Sequence, residues 1–589
     1  MPFLAQERVP IPNKDILSWT FDEQHYDQDK PVRTRDASGD PFALQNVDVC
    51  MQVYLDALDP SRSISSRQAR GIIRKLIAGF RAAGVAKGDC VCIHSFNDIY
   101  YSMLFLGIVG AGGIFAGTNP AYTQYELTHH YKTSQTKFIL VEPDFLPAVL
   151  ASAQECGIQP SNIWVFDYTD NQKVPSGFSS WKTLLNHGEA DWVRFDDEQT
   201  SKATTAARLY SSGTTGLPKA AAITHYNLVA QHTLVNETHP PPYEIRRLLY
   251  LPMFHAATVP VGHTTPLRSG QVTYVMRRFE LEPVLSSIHK YSITDLTLVP
   301  PVVVAILKFP GREKYSLKSV KMAFCGAGSL DKETQRQMQA LLAPGASLTQ
   351  VWGMTETSCV ASMFYYPEHD DTGSVGRMMP NLDVKLIDND DNDITAYDVR
   401  GELCIRGPTI ITSYLGNPEA TAASFTKDGF FKTGDIMYCA GDTKKWYIVD
   451  RKKELIKVRG FQVAPAEIEG VLLSNPNILD AAVIGVNPGP GSGGTASSKD
   501  SDNAGNSKDI ELPRAYVVRK PGLTERDLNE EAVKAWCRER LAKYKELAGG
   551  VRFIDAIPRN TAGKPLKRLL RERAKAEEEK ETRRQGAKL

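Results

Sequence analysis

Nine consecutive residues, Ser211-Ser212-Gly213-Thr214-Thr215-Gly216-Leu217-Pro218-Lys219, hold four hydroxyls, two glycines and one lysine, with no carboxylate. Core packing does not demand that composition. Hydroxyl and backbone N–H donors set on glycines can wrap a polyphosphate, and one lysine can balance part of its charge. A polar surface turn is the plain alternative for the same composition. The P-loop of the NTPases does not fit. It needs four residues between its glycines and Lys-Ser/Thr directly after the second. Here only Thr214-Thr215 separates Gly213 from Gly216, Leu217-Pro218 precedes Lys219, and Ala220 follows it. The apolar run Ala206, Ala207, Leu209, Tyr210 predicts a short buried strand before this segment. Thr224 before His225-Tyr226-Asn227-Leu228 predicts a capped helix start after it. The expected context is strand, loop, helix.

Four later stretches also carry residues suited to nucleotide chemistry. Cys325-Gly326-Ala327-Gly328-Ser329-Leu330 is a small-residue turn that lets a main chain approach a ligand closely. Trp352-Gly353-Met354-Thr355-Glu356 places an aromatic, a hydroxyl and a carboxylate within five positions. Lys432-Thr433-Gly434-Asp435 offers a carboxylate that can accept from two hydroxyls. Pro558-Arg559-Asn560-Thr561-Ala562-Gly563-Lys564-Pro565-Leu566 ends in a lysine after a glycine. Each has a plain reading as a turn or a solvated lysine.

Their order and spacing together resemble the adenylate-forming (AMP-binding) enzyme superfamily, with a coumarate–CoA ligase-like acyl- or aryl-CoA synthetase as the nearest type. The resemblance runs from about residue 30 to about residue 575. It implies that Ser211, Ser212, Gly213, Thr214, Thr215, Gly216 and Lys219 bind the phosphates of ATP. It implies adenine contacts from Gly326, Ala327, Gly328, Trp352 and Gly353, and an α-phosphate contact from Thr355. Glu356 would hold Mg²⁺, a hard cation that suits carboxylate oxygen. Asp435 and Arg451 would hold the ribose. Lys453 would be the hinge between two domains. Lys457 and Gln462 match positions linked to the adenylate and thioester steps, and Lys564 would be the lysine that bridges carboxylate and α-phosphate. His255 matches a histidine that gates the acid pocket.

The sequence departs from that family at several points. Ala220 stands where glycine is usual, Gly328-Ser329 where alanine and proline are common, and Trp352 where tyrosine is common. Ala256-Ala257 replaces a bulky pair that includes an aromatic. Losing the aromatic opens on the order of 100 Å³. The pocket is then larger, or is lined from elsewhere by Val299, Pro300, Val302, Val351 or Val360, and a free hydroxycinnamate is no longer the expected acid.

The elements that must position these groups follow from periodicity. Apolar runs such as Asp89–His94, Lys137–Val141 and Asn162–Phe166 alternate with the helical segments Ser66–Ala83 and Leu146–Glu155. That alternation predicts an α/β fold: a large N-terminal domain, residues 1–450, of layered, mostly parallel sheets and helices. The resemblance implies a small mobile α+β C-terminal domain, 451–589, after it. Residues 489–509 are rich in Gly, Ser, Asn and Asp, and read as a surface loop inside the small domain.

A chain of 589 residues needs more than one core. Its 69 Lys and Arg against 68 Asp and Glu give no reason to expect a nucleic-acid partner. The nine scattered cysteines show no zinc-type spacing. Residues Tyr101–Ala116 fall short of a membrane span and read as a buried helix, a glycine turn and a strand. No transmembrane segment is expected. The terminal Ala587-Lys588-Leu589 resembles a peroxisomal address, which implies an import receptor as partner and the peroxisome as location, with the cytoplasm as the alternative.

The expected activity is ATP- and Mg²⁺-dependent ligation of an aryl or medium-chain carboxylic acid to CoA, through an acyl-adenylate. A stand-alone adenylation enzyme loading a carrier protein, a luciferase-type oxidation and a non-catalytic nucleotide-binding scaffold are the alternatives.

Overall fold

The computed structural model describes residues 3–5, 7–22, 52–169, 171–211, 218–452, 454–458, 461–487, 511–541, 543–559 and 563–586. Within them the hydrophobic runs become strands of two seven-stranded sheets. In the first, the order is Ser179–Ser180, Ile163–Val165, Thr136–Val141, Cys90–His94, Ile114–Thr118, Thr205–Ser211 and Lys219–Thr224. All its pairs are parallel except the last. In the second, Ser347–Gln350, Met322–Cys325, Asp295–Leu298, Arg246–Leu249, Val272–Val275 and Gln52–Asp56 run parallel, and Ser63–Ser65 closes the edge antiparallel.

The expected helices lie between these strands for local reasons. Ser66–Ala82 starts at a capping box in which the Ser65 hydroxyl accepts from Gln68 N and the Gln68 side chain returns to the Ser65 backbone. Leu146–Glu155 has proline in its first turn, where the missing N–H costs nothing. Tyr101–Gly110 is apolar on every side and wholly buried. It ends at Gly112, with φ 92°, before the strand Ile114–Thr118. No helix among the described residues is long and apolar enough to cross a membrane.

Two sequence expectations are corrected. Strand, loop, helix does not describe residues 205–232. The next described strand is Lys219–Thr224, which pairs antiparallel with Thr205–Ser211. Only then does the helix His225–His232 start, capped as expected by Thr224 onto Asn227 N. The run Ala220-Ala221-Ala222-Ile223 is buried, and tertiary pairing rather than intrinsic propensity makes it a strand. The helix start is thus a full strand away from the loop.

The parallel α/β alternation also stops earlier than expected. Beyond Ser347–Gln350 the large part turns antiparallel. Trp352–Met354, Cys359–Met363 and Arg377–Met378 form one small sheet. Asp393–Ile394, Asp383–Ile387, Gly401–Arg406, Phe431–Cys439 and Trp446–Arg451 form a five-stranded one. Short turns join three of the six neighbouring pairs, while Gly401–Arg406 and Phe431–Cys439 are joined through the helix Pro418–Ala423.

After Arg451 a hairpin, Ile456–Val458 with Phe461–Val463, precedes a separate three-stranded sheet. In that sheet Ile478–Val486 pairs antiparallel with Leu512–Arg519, so the strands on either side of residues 489–509 are direct neighbours. Those residues, and Ala587-Lys588-Leu589, lie outside the described ones.

The helix Ser66–Ala82 packs so closely on the turn Trp181–Asn186 that a Cβ on Gly79 would stand 2.0 Å from the Leu184 carbonyl oxygen. Backbone cannot yield there as a side chain can. Gly79→Ala is expected to lower stability by about 1–3 kcal/mol, the usual range for overpacking. The measurement is the thermal midpoint of the variant against the parent, and an unchanged midpoint would contradict this packing.

Candidate active site

Antiparallel pairing brings the two ends of the phosphate-loop candidate together, because Ser211 and Lys219 are direct cross-strand partners. Ser212, Gly213, Thr214, Thr215 and Gly216 lie outside the described residues. His129 holds the exit of the loop, with its Nε2 2.9 Å from the Pro218 carbonyl oxygen. The Lys219 ammonium stands 5.0 Å from the centre of the Tyr414 ring.

Thr355 and Glu356 sit on the turn Thr355–Thr357, directly beside this hairpin. The Thr355 hydroxyl donates to the Tyr210 carbonyl, 3.4 Å away and one residue before Ser211. Glu356 is buried, and its Oε1 accepts from the Tyr414 hydroxyl at 2.7 Å. Its backbone carbonyl accepts from Ile411 N at 3.0 Å.

Trp352 is also buried, and its indole edge is committed. Nε1 donates to Asp435 Oδ2 at 2.8 Å. Gly353 is fixed by close approach, since a Cβ there would lie 1.8 Å from the Cys359 carbonyl oxygen. Gly326, Ala327 and Gly328 follow the strand Met322–Cys325, with Ala327 in the left-handed region at φ 66°. The Val351 side chain stands over Gly326, 3.0 Å from the position a Cβ would take.

Asp435 and Arg451 are cross-strand partners of the antiparallel sheet. Their side chains meet, with Arg451 Nε 3.2 Å from Asp435 Oδ1. The buried carboxylate therefore has one donor on each oxygen, the indole on one side and the guanidinium on the other. Gly434, at φ 72°, makes the bend that lets the Gly434 N–H reach Glu402.

Lys564 comes to this place from the far end of the chain. Burial, then the Arg451 charge, pushes its pKa down to about 8, opposed by Glu454 and Asp435. Its loop rests on the large part, where a Cβ on Gly563 would lie 2.8 Å from Pro301 Cγ. Arg559 supports the loop by donating to the Gly563 carbonyl at 2.6 Å while paired to Asp480 at 2.7 Å. Lys567, one helical turn further on, is buried between Glu469 at 3.0 Å and Glu454 at 3.5 Å. Lys457 and Gln462 face one another across the hairpin as register partners. Lys453 lies outside the described residues.

His255 Nδ1 accepts from Ala257 N at 3.2 Å, and burial pulls the ring's pKa down. The Cys359 thiol reaches the Ala257 carbonyl at 3.5 Å. Ala256 belongs to the main core, whereas Val299 and Val302 pack in the core of the second sheet with Cys325. The structure therefore brings Val351 to the adenine-side turn and puts Val299 and Val302 behind it.

Sequence reasoning missed Tyr414, Ile411, His129 and Cys359. No charge pattern or glycine spacing marks them, and only the fold shows which motif each one braces.

A large body carrying a hydroxyl- and glycine-rich hairpin, a buried carboxylate with paired donors, and a lysine delivered by a small C-terminal part define a nucleotide-using ligase. The AMP-binding enzyme family profile matches residues 45–415, and the AMP-binding enzyme C-terminal domain profile matches 504–564. The chain belongs to the AMP-binding enzyme family. It is 51% identical over 576 residues to the phenylacetyl-CoA ligase epaB of Aspergillus niger, covering 97% of this chain and 99% of that one. It is 52% identical to the acyl-CoA synthetase ACTT5 of Alternaria alternata, covering 90% and 89%. Its fold matches ATP-bound MatB from Rhodopseudomonas palustris with a TM-score of 0.76 at 24% identity, over 95% of this chain and 98% of that chain. The chain is an acyl-CoA ligase of the AMP-forming type, using ATP and CoA.

Because the Trp352 indole N–H fixes one oxygen of Asp435, its removal should loosen that carboxylate, the expected ribose ligand. Trp352→Phe is expected to raise the KM for ATP about tenfold, the scale of one hydrogen bond to a charged group, with a smaller change in kcat. Discrimination against 2′-deoxy-ATP should fall in parallel. Equal loss with ATP and 2′-deoxy-ATP would mean that the indole serves packing alone.

Proposed function

We propose that this enzyme joins an apolar aryl or medium-chain carboxylic acid to CoA in two half-reactions at the site just described. The acid and ATP give acyl-AMP and pyrophosphate. CoA then attacks the acyl carbon through its thiol, giving acyl-CoA and releasing AMP. The observation that carries the assignment of residues is that Lys564 lies within electrostatic reach of Arg451 and Asp435, where one cation can approach both an acid carboxylate and a nucleotide α-phosphate.

In this reading Ser211 to Lys219 hold the triphosphate, Asp435 and Arg451 the ribose, and Thr355 the α-phosphate. Lys564 steadies the incoming carboxylate, an electrostatic and positioning role in a site that excludes water. Glu356 fits Mg²⁺. It is a buried carboxylate beside the phosphate hairpin, and Mg²⁺ usually takes one or two carboxylates together with substrate phosphates. Bound there, the cation would neutralise charge on the departing pyrophosphate. A turn of the small domain about Lys453 would then bring Lys457 and Gln462 toward the thioester step.

For the acid, Ala256-Ala257 leaves the space beside His255 to small apolar groups, and Cys359 closes it with a neutral thiol, because burial pushes its pKa up to about 12. The phenylacetyl-CoA ligase relative makes phenylacetic acid the leading candidate among aryl acids, with medium-chain acids the other class. The test is AMP and acyl-CoA formation across phenylacetate, benzoate, hexanoate and octanoate, with and without CoA. CoA-dependent turnover on one of them is expected. Acid-dependent pyrophosphate exchange without CoA turnover would point to a carrier-protein acceptor instead.

Lys564→Ala should cut adenylation by roughly 10²–10³-fold and spare thioester formation from preformed acyl-AMP. Equal loss of both half-reactions would refute the role. The pH profile gives a second check. The lysine must be charged to bridge two anions, and the charged fraction falls above its pKa. With that pKa pushed down to about 8 in the free enzyme, kcat/KM for ATP should fall as pH rises through about 8. Lys564→Arg keeps its charge throughout this range, so its profile should lose that fall whatever its absolute rate.

A further inference from the structure

Tyr414 stands between the two groups of opposite charge that face the phosphates. Its hydroxyl donates to Glu356 Oε1 at 2.7 Å, and its ring faces the Lys219 ammonium at 5.0 Å. Glu356 and Lys219 form no ion pair with one another among the described residues. Tyr414 itself is fixed by the backbone. Ser413 O accepts from Ala222 N at 3.1 Å, Leu415 N donates to Ala220 O at 2.9 Å, and Tyr414 bridges Ala221. The segment 413–415 is thus stitched to the strand Lys219–Thr224 that leaves the phosphate hairpin. Two residues before that segment, Ile411 N donates to the Glu356 main-chain carbonyl at 3.0 Å. Ser211, at the other end of the hairpin, lies beside the same phenol.

We infer that Tyr414 is a positioning residue that aims the Glu356 carboxylate at the metal of a metal–ATP complex and, by occupying the space between them, keeps Lys219 and Glu356 from neutralising each other. This rests on the reading of Glu356 as metal ligand. The physical argument is one of competing partners. A lysine and a carboxylate left face to face in a half-buried site would pair, and each would then have to be freed before binding phosphate or metal. A phenol satisfies both at lower cost: its O–H orients one carboxylate oxygen, and its π face holds the cation loosely. Among the described residues no other hydrogen bond or ion pair engages Glu356 Oε2, the oxygen left for a ligand.

The experiment is titration of Mn²⁺ into the full-length enzyme with α,β-methylene-ATP, followed by electron paramagnetic resonance. Nucleotide affinity without metal is measured alongside. Tyr414→Phe keeps the ring and loses the donor. It should weaken Mn²⁺ about tenfold, the low end for removal of a group that orients a ligand, and leave metal-free nucleotide affinity unchanged. Tyr414→Leu also loses the ring. It should weaken metal-free nucleotide binding as well, because Lys219 can then close on Glu356. Unchanged Mn²⁺ affinity in Tyr414→Phe, with Glu356→Gln weakened, would overturn the positioning role alone. Unchanged affinity in Glu356→Gln as well would overturn the metal-ligand reading together with it. Unchanged metal-free affinity in Tyr414→Leu would overturn the separation of Lys219 from Glu356.

Discussion

The buried carboxylate of Asp435 is the joint on which the site depends. A carboxylate taken out of water costs several kcal/mol unless its oxygens are paired, and a single partner rarely repays that. Here the two donors come from different layers: the indole of Trp352 from the small antiparallel sheet, and the guanidinium of Arg451 from the neighbouring strand of the five-stranded sheet. Neither donor would be in place if either sheet shifted. The carboxylate thereby locks the two sheets in register, and the lock stands where a ribose would be read. Lys564 adds a third element, because it feels the Asp435 charge and reaches this place only when the small part lies against Pro301.

Like charges are also collected here, and their cost is visible. Arg451, Lys564 and Lys567 stand near one another, and part of the depression of the Lys564 pKa comes from the other two. Glu454 and Glu469 offset Lys567, so the helix that follows the lysine loop is anchored by pairs of its own. Held in place before any ligand arrives, these cations can act on a polyanion and a carboxylate without reorganising, which is where electrostatic preorganisation acts.

Much of the scaffold was legible in the sequence, and the reasons are local. Cys90–His94, Thr136–Val141 and Ile163–Val165 are short apolar runs bounded by polar residues, and the structure has them as strands within a residue of their expected ends. The helix Ser66–Ala82 falls within a residue of the expected Ser66–Ala83. The strand Lys219–Thr224 was not legible, because three alanines have no strand preference and only the partner Thr205–Ser211 decides the matter. The change to antiparallel sheets after residue 351 was hidden because turns there look like the turns elsewhere. Site residues were found through motifs, and motifs give residue types without directions. Trp352 was expected among the adenine contacts, and nothing in its motif showed that its indole N–H is spent on Asp435. Tyr414 lies 58 positions from Glu356, in a stretch with no charge to draw notice.

The acid pocket shows what such hidden constraints imply for specificity. Ser358 and Cys359 both carry positive φ, 58° and 135°, where side-chain-bearing residues are strained. The strain is held by specific bonds: the Thr357 hydroxyl donates to the Cys359 carbonyl at 2.8 Å, and the Ser358 hydroxyl donates to the Thr409 carbonyl at 2.6 Å. Gly353 must then lack a side chain to admit the displaced carbonyl. The same turn carries Glu356 at its start and sends the Cys359 thiol to Ala257 at its end. The residue facing the phosphates and the residue facing the acid are therefore parts of one rigid loop. A substitution that reshapes the acid end must preserve this backbone, or it will disturb the phosphate end as well.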